Sequence, residues 1–281
     1  MKAIFRYPGS KWSIAEWIIH HFPEKYEKMV YLEPFVGSGA VFFNKKPGAV
    51  ETINDLDDDI VNLFYVLREM PNELKHVLDL TPYSREEYDR SFEPCDEPVE
   101  KARRFMVRTT QAIGAKLDGK CGWRNHKQMK IGGTACKWGG ISDTIETAAK
   151  RLRSDTTHLV QIEKMDALHL IERYNNQDVL MYLDPPYMQN TRRSGRLYRF
   201  EMGTYDAHET LLQQIVQSKA HIIISGYDNE LYNHYLARWH IDTIITQTTS
   251  AEKAEEKIWM NYSPPAEQIS FYKIQKEGTT P

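Results

Sequence analysis

The stretch that decides the fold is Val179-Leu180-Met181-Tyr182-Leu183-Asp184-Pro185-Pro186-Tyr187. Its five leading apolar or aromatic residues predict a strand buried on both faces, as in a parallel sheet. The two prolines end that strand, because neither has an N–H to donate to a neighbouring strand. Ligands of open α/β sheets bind beyond the carboxyl ends of the strands, where Asp184 and Tyr187 fall. The stretch therefore predicts a binding site at this strand end.

The turn after this strand holds two hydrogen-bond acceptors with little freedom. Each prolyl ring restricts φ, and a residue before proline is held in an extended conformation. The Asp184 carboxylate and the Pro185 carbonyl are therefore fixed relative to each other, beside the ring of Tyr187. Two rigid acceptors next to a stacking ring suit a planar heterocycle that carries an NH2 group. The alternative is a plain strand end followed by a turn.

Length and composition set the class of protein. The chain has 281 residues and a formal net charge of -3, which fits one large α/β domain or a domain with an insertion. The three cysteines form no disulfide framework, and Cys121, His126 and Cys136 lack the spacing of a zinc ribbon. We find no signal peptide and no stretch long enough to span a bilayer. We expect a soluble cytoplasmic protein without a metal.

Two further stretches suggest a nucleotide-like ligand. The strand-like run from Val30 leads into Glu33 and then a Gly-x-Gly turn, in which Gly37 and Gly39 let the backbone approach a ligand closely. This turn matches neither a Walker loop nor the full dinucleotide fingerprint. Asp55 follows at the end of the next predicted strand, where a carboxylate can accept hydrogen bonds from ribose hydroxyls. Residues 57–59 are all aspartates and predict the first turn of a helix.

The N-terminal segment Tyr7-Pro8-Gly9-Ser10-Lys11 precedes a helical pattern of apolar residues. Ser10 is the predicted N-cap of that helix. Lys11 would then lie in the first turn, where its charge opposes the helix dipole, so it needs another partner.

The order of these segments resembles the Dam-type DNA adenine N6-methyltransferases, most closely their phage and prophage members. The matching motifs are Tyr-Pro-Gly-Ser-Lys, Glu-Pro-Phe-Val-Gly-Ser-Gly, Asn-Asp and Asp-Pro-Pro-Tyr, in this order. The resemblance implies a Rossmann-like methyltransferase fold with a doubly wound, mostly parallel α/β sheet. It also implies S-adenosylmethionine as methyl donor and double-stranded DNA as partner. One departure is the first motif, which has a single glycine, Gly9, where many relatives have two.

The same resemblance carries site residues over to this chain. It implies cofactor binding by Tyr7, Lys11, Glu33, Phe35, Gly37, Gly39, Asp55, Asp166 and Asp184. It implies catalysis by Asp184, Pro185, Pro186 and Tyr187.

Residues 71–150 form a predicted target-recognition insert between two parts of one catalytic domain, residues 1–70 and 151–281. From Lys101 to Lys137 there are ten lysines or arginines and one acid, Asp118. A helix is predicted over 101–113, and the glycine-rich remainder predicts loops or hairpins. A solvated basic face is the alternative to a DNA-binding surface.

Within and beyond the insert, polar side chains suit contacts with DNA. The candidates for phosphate contact are Lys116, Lys120 and Lys127, and those for base-edge contact are Arg124 and Asn125. A second basic loop after Tyr187 adds Arg192, Arg193 and Arg196. Further along the chain, residues 159–162 and 222–224 predict buried strands, and residues 246–257 predict a poorly ordered polar segment.

The function predicted from these features is methyl transfer to the N6 amine of an adenine flipped out of double-stranded DNA, by a monomer or weak dimer. Methylation of cytosine N4 uses similar chemistry, although that group more often carries serine at the position of Asp184. Methylation of RNA or of a small molecule would leave the basic insert unexplained. A non-catalytic DNA-binding protein on the same scaffold is the alternative from a different class.

Overall fold

The computed structural model describes residues 1, 3–113, 119–125, 138–188, 202–247 and 253–266. Its strands are β1 Val30–Glu33, β2 Val50–Asn54, β3 Leu159–Glu163, β4 Val179–Leu183, β5 His221–Gly226, β6 His240–Gln247 and β7 Lys253–Met260. Its helices are α1 Ala15–His20, α2 Ala40–Asn44, α3 Asp58–Glu69, α4 Pro71–Asp79, α5 Arg85–Arg90, α6 Pro98–Gln111, α7 Asp143–Leu152, α8 Ala167–Arg173, α9 Tyr205–Ile215 and α10 Glu230–Tyr235.

The seven strands of the described residues form one sheet in the order β3-β2-β1-β4-β5-β7-β6. The strands from β3 to β5 run parallel, and β7 is antiparallel to both of its neighbours. The order reverses between β1 and β4, where Val30 pairs with Val179. This sheet confirms the predicted doubly wound α/β fold, and the reversal is where such sheets bind ligands.

Successive side chains of β4 point to opposite faces of the sheet, and each face carries its own hydrophobic cluster. Leu180 and Tyr182 pack into one cluster with the apolar face of α3, while Met181 and Leu183 pack into a second cluster with α9. All five residues of β4 are buried. The strand is covered on both faces, as its unbroken apolar run predicted.

β3 differs from its prediction as a buried strand. It lies at the edge of the sheet, and Leu159 is 45% exposed. Four apolar or amide residues in a row do not distinguish an edge strand from a central one, because sheet order is a long-range property.

The helices of residues 71–150 share their core with the catalytic sheet. The ring of Phe105 in α6 packs edge-on against Phe5, with centroids 5.2 Å apart. Trp138, which follows the basic stretch of the insert, is buried, and its Nε1 donates to the Thr81 carbonyl at 2.8 Å. No break in packing marks residue 70, and the division into two domains remains a prediction.

Two local predictions are wrong. α1 begins at Ala15 with Ile14 at the N-cap position, so Ser10 does not cap it. The hydroxyl of Ser10 lies instead 2.9 Å from that of Ser38. Of the segment predicted to be poorly ordered, residues 246–247 and 253–257 lie in β6 and β7, where Gln247 pairs with Lys253, and residues 248–252 lie outside the described residues.

The acidic run at residues 57–59 behaves as predicted. Asp57 is the N-cap of α3, and its side chain accepts a hydrogen bond from the Asp59 amide. Among the described residues, no helix is long and apolar enough to cross a membrane. In the same residues, no group of three or more His, Cys, Asp or Glu side chains is arranged to hold a metal ion.

Candidate active site

A cavity of about 260 Å³ opens at the carboxyl ends of β1, β2 and β4, beside the reversal of strand order. Most of the predicted cofactor residues line it, namely Tyr7, Lys11, Glu33, Phe35, Gly37, Asp55, Asp166 and Asp184. Gly39 shapes the loop beside the cavity and is not among its lining residues. Residues distant in the sequence therefore meet where parallel strands end.

The turn after β1 requires glycine for two separate reasons. Gly37 and Gly39 have φ of +48° and +67°, in the left-handed region that other residues rarely adopt. A Cβ on Gly37 would lie 2.7 Å from Cε1 of Tyr7, and one on Gly39 would lie 2.8 Å from the ring of Phe43. The loop therefore packs closely against the first motif, and its backbone borders the cavity.

Asp55 supports this loop from the end of β2. Its carboxylate accepts hydrogen bonds from the amides of Gly37 at 3.0 Å and Asp57 at 2.9 Å. Burial raises the pKa of Asp55 to about 7, although these amide hydrogen bonds favour the ionised form. The carboxyl group therefore titrates near neutral pH.

The side chain of Asn54 connects the ends of three strands. Its amide nitrogen donates to the carbonyls of Pro34 at 2.9 Å and Met165 at 3.0 Å. Its amide oxygen accepts from the backbone of Met165 at 2.9 Å. This residue fixes the floor of the cavity without a charge.

Glu33 lies at the base of the cavity and is fully buried. Its carboxyl group accepts a hydrogen bond from the Tyr31 hydroxyl at 2.6 Å. Burial raises the pKa of Glu33 to about 8, and the nearby Asp184 adds to the shift. At neutral pH the carboxyl is therefore mainly protonated.

Asp166 is the N-cap of α8. Its Oδ1 accepts from the amides of Leu168 at 2.9 Å and His169 at 3.3 Å. The same residue lines the cavity, so it combines a helix cap with a place in the site.

Asp184 stands directly after β4 with its carboxylate held on one oxygen. Its Oδ1 lies 3.0 Å from the Lys11 ammonium and accepts from the Ser225 hydroxyl at 2.8 Å. The Lys11 ammonium also donates to the Gly9 carbonyl at 2.8 Å. Within the described part of the chain, these two contacts of Asp184 both use Oδ1.

The prolyl turn is held from α9. The ring of His208 is buried, and its Nε2 lies 3.0 Å from the Pro186 carbonyl. A carbonyl only accepts, so Nε2 carries the proton and Nδ1 is left to accept from the Tyr232 hydroxyl at 2.9 Å. This arrangement fixes the backbone on which Asp184 and Tyr187 stand.

Tyr187 is contacted at its ring and at its hydroxyl. The Lys11 ammonium lies 4.7 Å from the ring centroid. The ring packs edge-on against Tyr227 with centroids 4.7 Å apart, and the hydroxyl donates to Oε2 of Glu256 at 2.8 Å. Asp184 lines the cavity, and the Lys11 ammonium connects its carboxylate with the ring of Tyr187, which is not itself among the lining residues.

Comparison with known proteins assigns the chain to a family. Residues 7–250 match the model of the D12 class N6 adenine-specific DNA methyltransferases. The chain belongs to this family. The match spans the first motif, the glycine turn, the insert and the Asp-Pro-Pro-Tyr turn, and it confirms the resemblance found in the sequence.

Several curated relatives agree with this assignment. The chain is 22% identical over 278 residues to the Type II methyltransferase M1.LlaDCHI of Lactococcus lactis subsp. cremoris, covering 92% of each chain. It is 24% identical over 250 residues to the DNA adenine methylase of Haemophilus influenzae, covering 83% of each. A DNA N-6-adenine-methyltransferase of Escherichia phage P1 is 35% identical over 74 residues, 26% of this chain and 9% of the phage protein. This adenine-specific DNA methyltransferase therefore has both bacterial and phage relatives.

The basic insert of this methyltransferase uses part of its charge internally. Arg103 pairs with Glu87 and Glu100, and Arg108 pairs with Asp59. These arginines hold α6 against its neighbours. The count of basic residues in the sequence therefore overstates the positive charge that is available to contact DNA.

Three predicted DNA-binding residues lie in the described part of the insert. Lys120 is half-exposed and lies 2.7 Å from Asp89, and Asn125 is exposed. The guanidinium of Arg124 donates to the carbonyls of Ala112 at 3.1 Å and Ile113 at 2.5 Å. The other five lie outside the described residues, namely Lys116, Lys127, Arg192, Arg193 and Arg196.

Sequence reasoning missed three residues that support the site. Ser225 stands in the segment Ile223-Ile224-Ser225-Gly226-Tyr227, whose resemblance to the family was the available signal. His208 has no local signal, because its partners come from the turn after β4 and from α10. Glu256 lies in a polar stretch that predicted disorder, and only the pairing of β7 with β5 brings it to Tyr187.

Proposed function

We propose that this enzyme binds S-adenosylmethionine in the cavity and methylates the N6 amine of an adenine flipped out of double-stranded DNA. The observation that carries the proposal is the Asp184 carboxylate at the end of β4, held through Oδ1 by Lys11 and Ser225. Asp184 lines the cavity, and the Lys11 ammonium that contacts it also lies over the ring of Tyr187.

The residues around the cavity fit this cofactor. Carboxylates at its rim, Asp55 and Asp166, suit the hydroxyls of a ribose and an amine. The loop at Gly37 has no room for a Cβ and exposes its backbone to the cavity. Phe35 adds an aromatic surface for a purine. When bound, S-adenosylmethionine supplies an electrophilic methyl group, whose bond to sulfur breaks as the adenine nitrogen bonds to its carbon.

The residues at the turn prepare the amine. The lone pair of the adenine N6 is delocalised into the ring, which makes it a poor nucleophile. The Asp184 carboxylate and the Pro185 carbonyl accept hydrogen bonds from its two N–H groups. These hydrogen bonds favour a pyramidal nitrogen and direct its lone pair toward the methyl group. The carboxylate also stabilises the positive charge that develops on this nitrogen. The proton leaves after the transfer, to Asp184 or to water.

Base flipping follows from the position of the site. A base inside a duplex cannot reach an acceptor that stands at the end of a buried strand, so the adenine must leave the helix. Stacking on the Tyr187 ring contributes about 1–3 kcal/mol toward the energy lost on unstacking.

We assign sequence-specific contact with the DNA to the insert and to the basic residues that follow Tyr187 in the sequence. Exposed Asn125 offers a donor and an acceptor for an adenine edge, and half-exposed Lys120 offers a charge for phosphate. The guanidinium of Arg124 is held by the backbone carbonyls of Ala112 and Ile113.

Incubation of the enzyme with unmethylated genomic DNA and S-adenosylmethionine, followed by modification-sensitive sequencing, tests the proposal. We expect N6-methyladenine at one short sequence. The Asp184→Ala variant should leave the DNA unmodified while remaining folded, and Asp178→Ala, an exposed carboxylate just before β4, is the matched control. Methylated cytosine, or activity retained by Asp184→Ala, would overturn the proposal.

A further inference from the structure

Tyr187 is tied to a buried carboxylate that lies on a different part of the sheet. Its hydroxyl donates to Oε2 of Glu256 at 2.8 Å, and Glu256 is only 8% exposed. Glu256 belongs to β7, where it pairs with Ile244 of β6. This hydrogen bond therefore connects the turn after β4 with β7.

A second tyrosine lies beside this pair. Tyr227 follows β5, and burial of Glu256 raises the pKa of its carboxyl group. The rings of Tyr187 and Tyr227 meet edge-on at 69°. The carboxylate of Glu256 thus holds one ring of a pair whose relative orientation is favourable for aromatic contact.

The position of Glu256 has no evident benefit for stability alone. A buried carboxylate loses its hydration, and an apolar residue of similar size would commonly serve the hairpin as well or better. Its partners lie beside the proposed substrate, and Lys11, which contacts both Asp184 and the ring of Tyr187, also interacts electrostatically with Glu256. The side chain of Glu256 therefore has its use at the site, as the acceptor for the Tyr187 hydroxyl.

We infer that Glu256 is a positioning residue, which sets the plane of the Tyr187 ring on which the target adenine stacks. This inference rests on the proposed function. The prolyl turn and His208 fix the backbone of Tyr187, but rotation about its side-chain bonds remains, and the hydrogen bond at the far end of the ring removes it. An aligned base is then presented to Asp184 in one orientation, which is the source of much of the rate in reactions of this kind.

The test compares single-turnover methylation by full-length variants on a duplex that contains the enzyme's own site. Glu256→Ala should lower the rate by about 10- to 100-fold, the scale of a small misalignment. Tyr187→Phe, which keeps the ring and loses the hydroxyl, should show a similar loss. The double variant should be no slower than either single variant, because both remove the same hydrogen bond.

Glu256→Gln keeps an acceptor for the hydroxyl and should stay close to wild type. Glu255→Ala, an exposed carboxylate on the same strand, is the matched control and should be unchanged. Thermal unfolding and cofactor affinity of each variant establish that it is folded.

Several outcomes would overturn the inference. Additive losses in the double variant would show that Glu256 acts independently of the Tyr187 hydroxyl. A Glu256→Gln variant as slow as Glu256→Ala would show that the charge, rather than the hydrogen bond, matters. A wild-type rate in Glu256→Ala would remove its role altogether. A wild-type enzyme that does not methylate adenine would instead refute the proposed function, so the two failures are distinguishable.

Discussion

The Lys11 ammonium lies 3.0 Å from Oδ1 of Asp184, which joins the first motif of the chain to the turn after β4. Lys11 is 4% exposed, and a buried ammonium requires a partner of opposite charge. The sequence indicated that this lysine needs a partner, and the structure shows which one. With Oδ1 engaged by Lys11 and Ser225, the proposed contact with the adenine amine falls to Oδ2.

Ser225→Ala is expected to lower the single-turnover rate by about 10-fold, the scale of one hydrogen bond to a charged group. The variant removes the 2.8 Å bond that holds Oδ1 and leaves Lys11 in place. Rapid-quench measurement with saturating DNA and cofactor checks this expectation. Ser218→Ala, at a serine outside the cavity, is the control, and equal rates for the two variants would contradict the role of Ser225.

Cofactor affinity is expected to rise with pH between about 6 and 8. Asp55, with a pKa near 7, must lose its proton before it can accept from a ribose hydroxyl as a carboxylate. Calorimetric titration with S-adenosylmethionine across this range measures the effect. Asp55→Asn should bind more weakly and should lose this part of the pH dependence, whereas Glu33→Gln should retain it. An unchanged profile in Asp55→Asn would place the titrating group elsewhere.

The same shift gives a signed prediction for the stability of the protein without ligand. The folded-state pKa of Asp55 is raised above its ordinary value of 3.8, so its contribution to stability is complete below pH 4. That contribution is lost as the pH rises through about 7. Urea unfolding of wild type and Asp55→Asn at pH 5 and pH 8 checks the sign, since the variant should flatten the difference between the two pH values. The prediction would be contradicted if the stability of the wild type fell no more between pH 5 and pH 8 than the stability of Asp55→Asn.

Glu51→Gln is expected to destabilise the fold by about 3–5 kcal/mol, the loss on breaking a buried ion pair. Glu51 is fully buried and bonds Arg151 at 2.6 and 2.9 Å, with Lys45 and His158 also at its carboxylate. Burial alone would raise the pKa of Glu51, but Arg151 and Lys45 hold it at about 2. The ionised carboxylate of Glu51 therefore contributes to the stability of the fold above pH 4.5, and this contribution is lost as the pH falls toward 2.

Denaturant titration of Glu51→Gln measures this loss at pH 7. Glu146→Gln breaks the exposed pair between Lys150 and Glu146 in α7 and should leave the midpoint unchanged. A similar small change in both variants would show that the buried cluster does not stabilise the fold.

Lys120→Ala is expected to weaken DNA binding equally at cognate and unrelated sequences. It should also reduce the slope of log K against log salt by about one, because one phosphate contact is lost. Asn125→Ala should instead relax preference at one base position by about 1–3 kcal/mol. Fluorescence anisotropy at several salt concentrations separates the two. Arg103→Ala is a poor reporter of binding, since Arg103 is used in ion pairs with Glu87 and Glu100.

The sequence by itself determined the doubly wound sheet, the family and the main cavity residues. An apolar run such as 179–183 and a glycine turn such as 37–39 are governed by local sterics and burial, which neighbours in the chain reveal. Only the tertiary structure decided that Trp138 is buried, that Arg103 and Arg108 serve α6, that β3 is an edge strand and that residues 253–260 form β7. It also decided that Lys11 meets Asp184 and that Glu256 meets Tyr187. Each of these is a contact between strands or helices far apart in the chain, and such contacts depend on sheet order and packing, which no local pattern encodes.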